Sequence, residues 1–274
     1  MALLRAGARP WTEYADLVQE RASAVAALED DLGLLAHVEL ERAGAEVAAW
    51  EAHGMRLFTV LDREYPENLR AVHDRPPLVF VAGVLEPRDA RAVAVIGTRT
   101  ASRQGLARTR AIAAHLVQAG YTVASGLAAG IDTAAHTAAL ARGGRTVAVI
   151  GTGLLRCYPP QNRHLQRRIA SDCAVVSQFW PHSPPSRRSF PMRNALMSGL
   201  TLGTVVTEAS HTSGSRIQAR LALAHGRPVF LHESLLEQRW AREFAERPAT
   251  HVVGSPAQIV TVIERLTSAG PLVA

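Results

Sequence analysis

The chain has 274 residues, 47% of them apolar, and a formal charge of +6. Its length suits one sizeable α/β domain with an appendage, or two small domains, and so apolar a composition excludes general disorder. No apolar run approaches a membrane span, the N-terminus lacks a secretory hydrophobic region, and Cys157 and Cys173 lack metal or redox spacing, so a reduced, cytoplasmic setting is expected.

Residues 1–53 read as an N-terminal helical region. Tyr14, Leu17, Val18, Ala22 and Val25 recur at helical spacing, and a second segment runs from about Leu32 to Ala52. Residues 54–90 form a connector with one strand, Leu78 to Val81. From Arg91 the pattern changes to alternating strands and helices, so the expected division is 1–53 and 54–274. Six strands are predicted here: Val93 to Ile96, Thr122 to Ala124, Thr146 to Ile150, Ala174 to Ser177, Thr204 to Thr207 and Pro228 to Leu231. Helices are expected over Gly105 to Ala119, Ile131 to Ala141, Asn162 to Ala170 and Ser215 to Ala224, with closing helices over 234–247 and 256–267. Strand runs without polar alternation are buried on both faces. Alternating strand and helix units make a doubly wound, mostly parallel α/β sheet. Such sheets bind ligands at the carboxyl ends of their strands.

Those ends carry the candidate site. The first has Gly97, Thr98 and Arg99, with Ser102 and Gly105 at the helix entry. The second has Ser125 and Gly126, then Gly130 and Asp132 opening a helix. The third has Gly151, Thr152 and Gly153, then Arg156, Tyr158 and Asn162. The fifth has Glu208, then Ser213, Gly214 and Ser215. Glycines without a Cβ allow a ligand close to backbone N–H groups, and helix N-termini favour anions. Glu208 is the best acid candidate, either as a reactive group or as a clamp on backbone N–H groups. Between Ser186 and Asn194, Arg187, Arg188 and Arg193 share a segment with Phe190, expected as a loop leading into a helix. Arginines neutralise phosphates, and an exposed Phe stacks on unpaired bases.

Charge agrees with a polyanion partner. Residues 1–90 hold 9 Arg against 16 acids, whereas residues 91–230 hold 17 Arg against Asp132, Asp172 and Glu208 only, a net of +14. Every one of the 30 basic residues is arginine, which excludes any mechanism needing a lysine nucleophile. The dinucleotide fingerprint fails: Gly97-Thr98-Arg99 lacks the second glycine, Arg156 stands where Gly151-Thr152-Gly153 needs the third, and Ser125 replaces the ribose-binding acid. The P-loop and Gly-x-Ser-x-Gly patterns are absent. Asp132 and His136 share a helix face without a placed nucleophile. No metal cluster and no cofactor are expected.

These motifs, in this order, resemble the DprA/Smf family of DNA-processing proteins. The match runs over roughly residues 54–232 and includes Gly97-Thr98-Arg99, Ser125 to Asp132 with His136, Tyr158-Pro159-Pro160-Gln161-Asn162, Phe190 to Asn194 and Ser213-Gly214-Ser215. It stops short of the winged-helix domain that some members carry. The resemblance implies an extended Rossmann-like fold and a homodimer without catalytic activity. It implies binding and protection of single-stranded DNA, and loading of the RecA recombinase in natural transformation. Arg99, Arg156 and Arg193 would then contact phosphate, and Gly126, Gly130 and Gly151 would shape the groove. The family usually has basic residues where Ala129 and Ala195 stand here. A second class of function, a nucleotide-binding sensor or hydrolase of the superfamily that also holds the LOG phosphoribohydrolases, fits the same loops. The LOG pattern Pro-Gly-Gly-x-Gly-Thr is absent.

Overall fold

The computed structural model describes residues 1–6, 9–33, 36–211 and 213–268. Four helices open the chain: α1 (Ala2–Ala6), α2 (Trp11–Arg21), α3 (Ala24–Leu32) and α4 (Ala36–Ala52). The Ser23 hydroxyl starts α3 by accepting from the Ala26 N–H at 3.2 Å. Next come β1 (Met55–Thr59), α5 (Glu67–Arg70) and β2 (Leu78–Gly83).

The alternating part follows: β3 (Ala92–Gly97), α6 (Arg103–Gln118), β4 (Thr122–Ser125), α7 (Ile131–Ala141), β5 (Thr146–Val149), α8 (Arg163–Asp172) and β6 (Ala174–Ser177). It continues through α9 (Ser189–Leu200), β7 (Thr204–Glu208), α10 (Ser215–Ala224), β8 (Val229–His232), α11 (Arg239–Ala245), β9 (Thr250–Val253) and α12 (Pro256–Ser268).

All nine strands make one sheet in the order β1-β2-β6-β5-β4-β3-β7-β8-β9. From β6 through β9 every pairing is parallel, while β2 joins β6, and β1 joins β2, antiparallel. Successive strands leave β3 in opposite directions, through β4, β5 and β6 on one side and through β7, β8 and β9 on the other. The strand order therefore reverses between β3 and β7, which opens a crevice there.

Burial on both faces shows within single strands. On β3, Val93 and Val95 join the core under α6, α7 and α12, while Ala94 and Ile96 join the larger core on the opposite face. That larger core is continuous with the opening helices through Leu3, Tyr14 and Leu28.

Three expectations needed correction. Strands β1 and β9 had no clear sequence signal. They are edge strands, and exposed Arg56 and half-buried His251 interrupt their apolar runs. The expected closing helix over 234–247 is instead a 3₁₀ turn at Glu233–Glu237 followed by α11. Finally, Ser186 to Asn194 is only partly a loop, because α9 begins at Ser189. Its inward face repeats at helical spacing through Ser189, Arg193, Leu196, Met197 and Leu200, and this turns Arg193 inward.

Candidate nucleic-acid interface

A cleft of about 400 Å³ lies at the switch point. Its walls come from the end of β3 (Gly97, Thr98, Arg99), the start of α7 (Ala128, Asp132), one face of α9 (Phe190, Arg193, Asn194, Met197) and the start of α10 (Ser213, Gly214, Ser215, Gln218). Beyond Phe190 a smaller recess of about 70 Å³ adds Gly126, Ala129, Gly151, Thr152 and Tyr158. Phe190 divides the two. Its ring lies under the Arg99 guanidinium at 5.3 Å and beside Tyr158 at 5.7 Å.

Arg193 is the buried cation of the site, 7% exposed. Its Nη1 donates to the Val149 carbonyl at 3.0 Å, and its Nε has no partner. Burial lowers its pKa, opposed by the nearby Asp132 carboxylate. Asp132 in turn accepts from the N–H groups of Gly126 and Ala128 at 3.2 and 3.3 Å. Burial pushes the Asp132 carboxyl upward, against the pull of the Arg193 charge and those two N–H groups. The acid therefore closes its own loop.

The loop glycines do a different job from the one expected. A Cβ on Gly126 would overlap the Arg193 guanidinium, and one on Gly130 would stand 2.5 Å from the Thr98 carbonyl oxygen. A Cβ on Gly153 would run into the backbone oxygens of Trp180 and Pro181, and one on Gly151 would press on the Phe190 ring. These glycines let loops and side chains approach one another. Gly214, with nothing near its missing Cβ, faces open space.

Several predicted residues line neither recess and act as ties. Glu208 accepts from the Ser102 N–H at 2.9 Å and from the Ser102 hydroxyl at 2.6 Å, pinning the start of α6 to the end of β7. Asn162 donates to the Leu127 carbonyl at 2.8 Å and the Thr133 hydroxyl at 2.9 Å, clamping the glycine loop from behind. The fully buried Ser125 donates to the Val95 carbonyl at 2.7 Å. His136 also turns inward, with Nδ1 on the Thr146 hydroxyl at 2.7 Å; complete burial drives its pKa down to about 3, so the ring is neutral. Arg156 is exposed, with Nε on the His182 carbonyl at 3.3 Å. Arg187 and Arg188 are exposed in the turn before α9.

Sequence reasoning missed Gln218 and Met197 as wall residues. The signal for Gln218 was a polar residue among alanines on the inward face of α10, three positions after Ser215. Of the two departures from the family, Ala129 lines the smaller recess, whereas Ala195 lines neither.

Fold and site define a doubly wound α/β protein of Rossmann-like topology with an arginine- and hydroxyl-lined cleft at its switch point. The chain belongs to the DNA recombination-mediator protein A family, whose model matches residues 56–269. It is 43% identical over 173 residues to the DNA processing protein DprA of Streptococcus pneumoniae, spanning 63% of this chain and 61% of that protein. It is 41% identical over 179 residues to the protein Smf of Synechocystis, spanning 64% of this chain and 45% of that one. These matches thus span about half to three fifths of the relatives' length. Among solved structures, DprA from S. pneumoniae superposes with a TM-score of 0.78 at 31% identity, covering 95% of both chains. DprA from Helicobacter pylori, whose structure describes a single-stranded DNA binding mode, has a TM-score of 0.66 at 24% identity and covers 79% of this chain and 97% of its own. No helix among the described residues is long and apolar enough to cross a membrane.

Proposed function

We propose that this protein binds single-stranded DNA without catalysing a reaction on it, works as a homodimer, and loads RecA on the bound strand in natural transformation. The observation that carries the first part is the meeting of Arg99, Phe190, Arg193 and the start of α10 around one cleft. It combines cations for phosphate, an aromatic face for a base and a helix N-terminus for an anion. Arg187 and Arg188 extend the positive surface beside it. The absence of catalysis is argued from the two acids: Asp132 is held by backbone N–H groups, and the Ser102 hydroxyl that donates to Glu208 is itself the cap of α6, accepting from the Gly105 N–H at 2.9 Å. RecA loading and dimerisation rest on family membership.

A salt-titrated oligo-dT binding assay tests the reading. Affinity should fall steeply with salt, and Arg193→Ala should bind more weakly, with a log–log slope shallower by about 1. Binding that ignores salt would sink it. For the RecA step, adding the protein should speed RecA filament formation on covered single strands.

A second reading, a nucleotide sensor, is favoured by Ala129, which leaves the smaller recess without the family's usual cation. A thermal-shift screen with nucleoside phosphates separates the two. A Tm raised by a mononucleotide supports the sensor, and a Tm unmoved across the set counts against it.

A further inference from the structure

Gln218 is 1% exposed, and neither Oε1 nor Nε2 of its carboxamide has a hydrogen-bond partner. It nevertheless lines the main cleft, beside Met197 and Asn194. Leaving a buried amide unpaired is destabilising, and an apolar side chain of similar volume would fill the space without that cost. The other inward positions of α10 behind it, Ala219 and Ala222, are apolar. Arg193 Nε is a further unpaired buried atom among the cleft residues.

We propose that Gln218 reads the hydrogen-bonding edge of a nucleobase that enters the cleft from the bound strand. This rests on the single-stranded DNA reading above. A carboxamide offers an acceptor and donors in one plane, the complement of the adjacent donor and acceptor on a base edge. The phosphate of the same nucleotide has a separate place. Ser215 and Gly214 open α10 at the same cleft, and Gln218 follows Ser215 by three positions, about 4.5 Å of helix rise. An anion at the helix start and a base edge at Gln218 would then be the phosphate and the base of one nucleotide. Phe190 supplies the stacking face. The cleft's 400 Å³ or so is the size of a small-ligand site, room for one nucleotide and not a run of bases.

Gln218→Met removes the amide at nearly constant volume. Wild type and variant are titrated with oligo-dT and with an abasic strand of the same length at one salt concentration. Wild type should prefer the base-bearing strand. The variant should lose about 5- to 10-fold of that preference, keep its affinity for the abasic strand and its salt slope, and show an equal or higher Tm. Binding of both strands with an unchanged preference in the variant overturns the proposal alone. If wild type binds neither strand, the single-strand reading fails and takes the proposal with it. Should the variant not fold, the side-chain amide resonance of Gln218 in the wild-type protein decides. It should shift with oligo-dT and not with the abasic strand, and a resonance that oligo-dT leaves unmoved overturns the proposal.

Discussion

Gly130 shows how a single residue sets the site. Its φ is +76°, a conformation L side chains rarely adopt, and an added Cβ would stand 2.5 and 2.6 Å from the carbonyl oxygens of Thr98 and Arg99. Two loops of the cleft meet on that missing atom, so Gly130→Ala should destabilise the fold by at least about 2 kcal/mol, measured by urea denaturation. An undiminished midpoint would mean that the loops move apart freely. His136 makes a pH prediction. Its folded pKa is about 3 against an ordinary value of 6.5, so between those limits the unfolded chain binds more protons. Stability is therefore fully present above the upper limit and is lost as pH falls through the window, by up to about 1.4 kcal/mol per pH unit. A His136→Gln variant should show a flatter dependence by about that amount when unfolding free energy is measured across the range.

Among the elements, the opening helices meet the segment that supports the third strand-end loop at Trp180. Trp180 lies in the segment after β6 and packs against Trp11, Trp50 and Phe80 at ring distances of 5.8, 6.3 and 5.9 Å, with the Arg5 guanidinium over its ring. The same segment supports the third strand-end loop, since Gly153 and Leu155 donate to the carbonyls of Ser183 and Pro181, each at 2.9 Å. Removing the ring empties a junction between α2, α4 and the sheet. Trp180 is half-buried, so Trp180→Ala should cost roughly 1–3 kcal/mol in chemical denaturation, with oligo-dT affinity falling only to the extent that the Gly153 loop loosens. A loss below about 1 kcal/mol would show that the helices dock independently of this ring.

For the whole molecule, topology places the candidate cleft on one edge of the sheet. Strand β3, six residues long, separates the cleft edge from the opposite edge by about 20 Å, about twice the screening length at physiological salt. Arg142, exposed at the end of α7, sits on that far edge. Arg142→Glu should change oligo-dT affinity by less than about 3-fold, whereas the double variant Arg187→Glu, Arg188→Glu should lower it by more than about 10-fold at low salt. Equal losses from both would mean that net charge, and not the cleft, attracts the strand.

Strands β3 to β8 were legible because each is a short apolar run, and their parallel arrangement followed from the helices between them. The four loops at one edge followed in turn, as did the family resemblance, since both depend on local order along the chain. The division of labour within those loops was not legible. That Arg193 is buried against Val149, that Asn162 is a tie, that Glu208 is a clamp and not the reactive acid of the two expected roles, and that Gln218 is unpaired in the cleft all depend on contacts between residues far apart in sequence. Periodicity and motif spacing report which face a residue occupies. Whether a polar group on that face is satisfied by the protein or left for a partner is decided only when the elements pack.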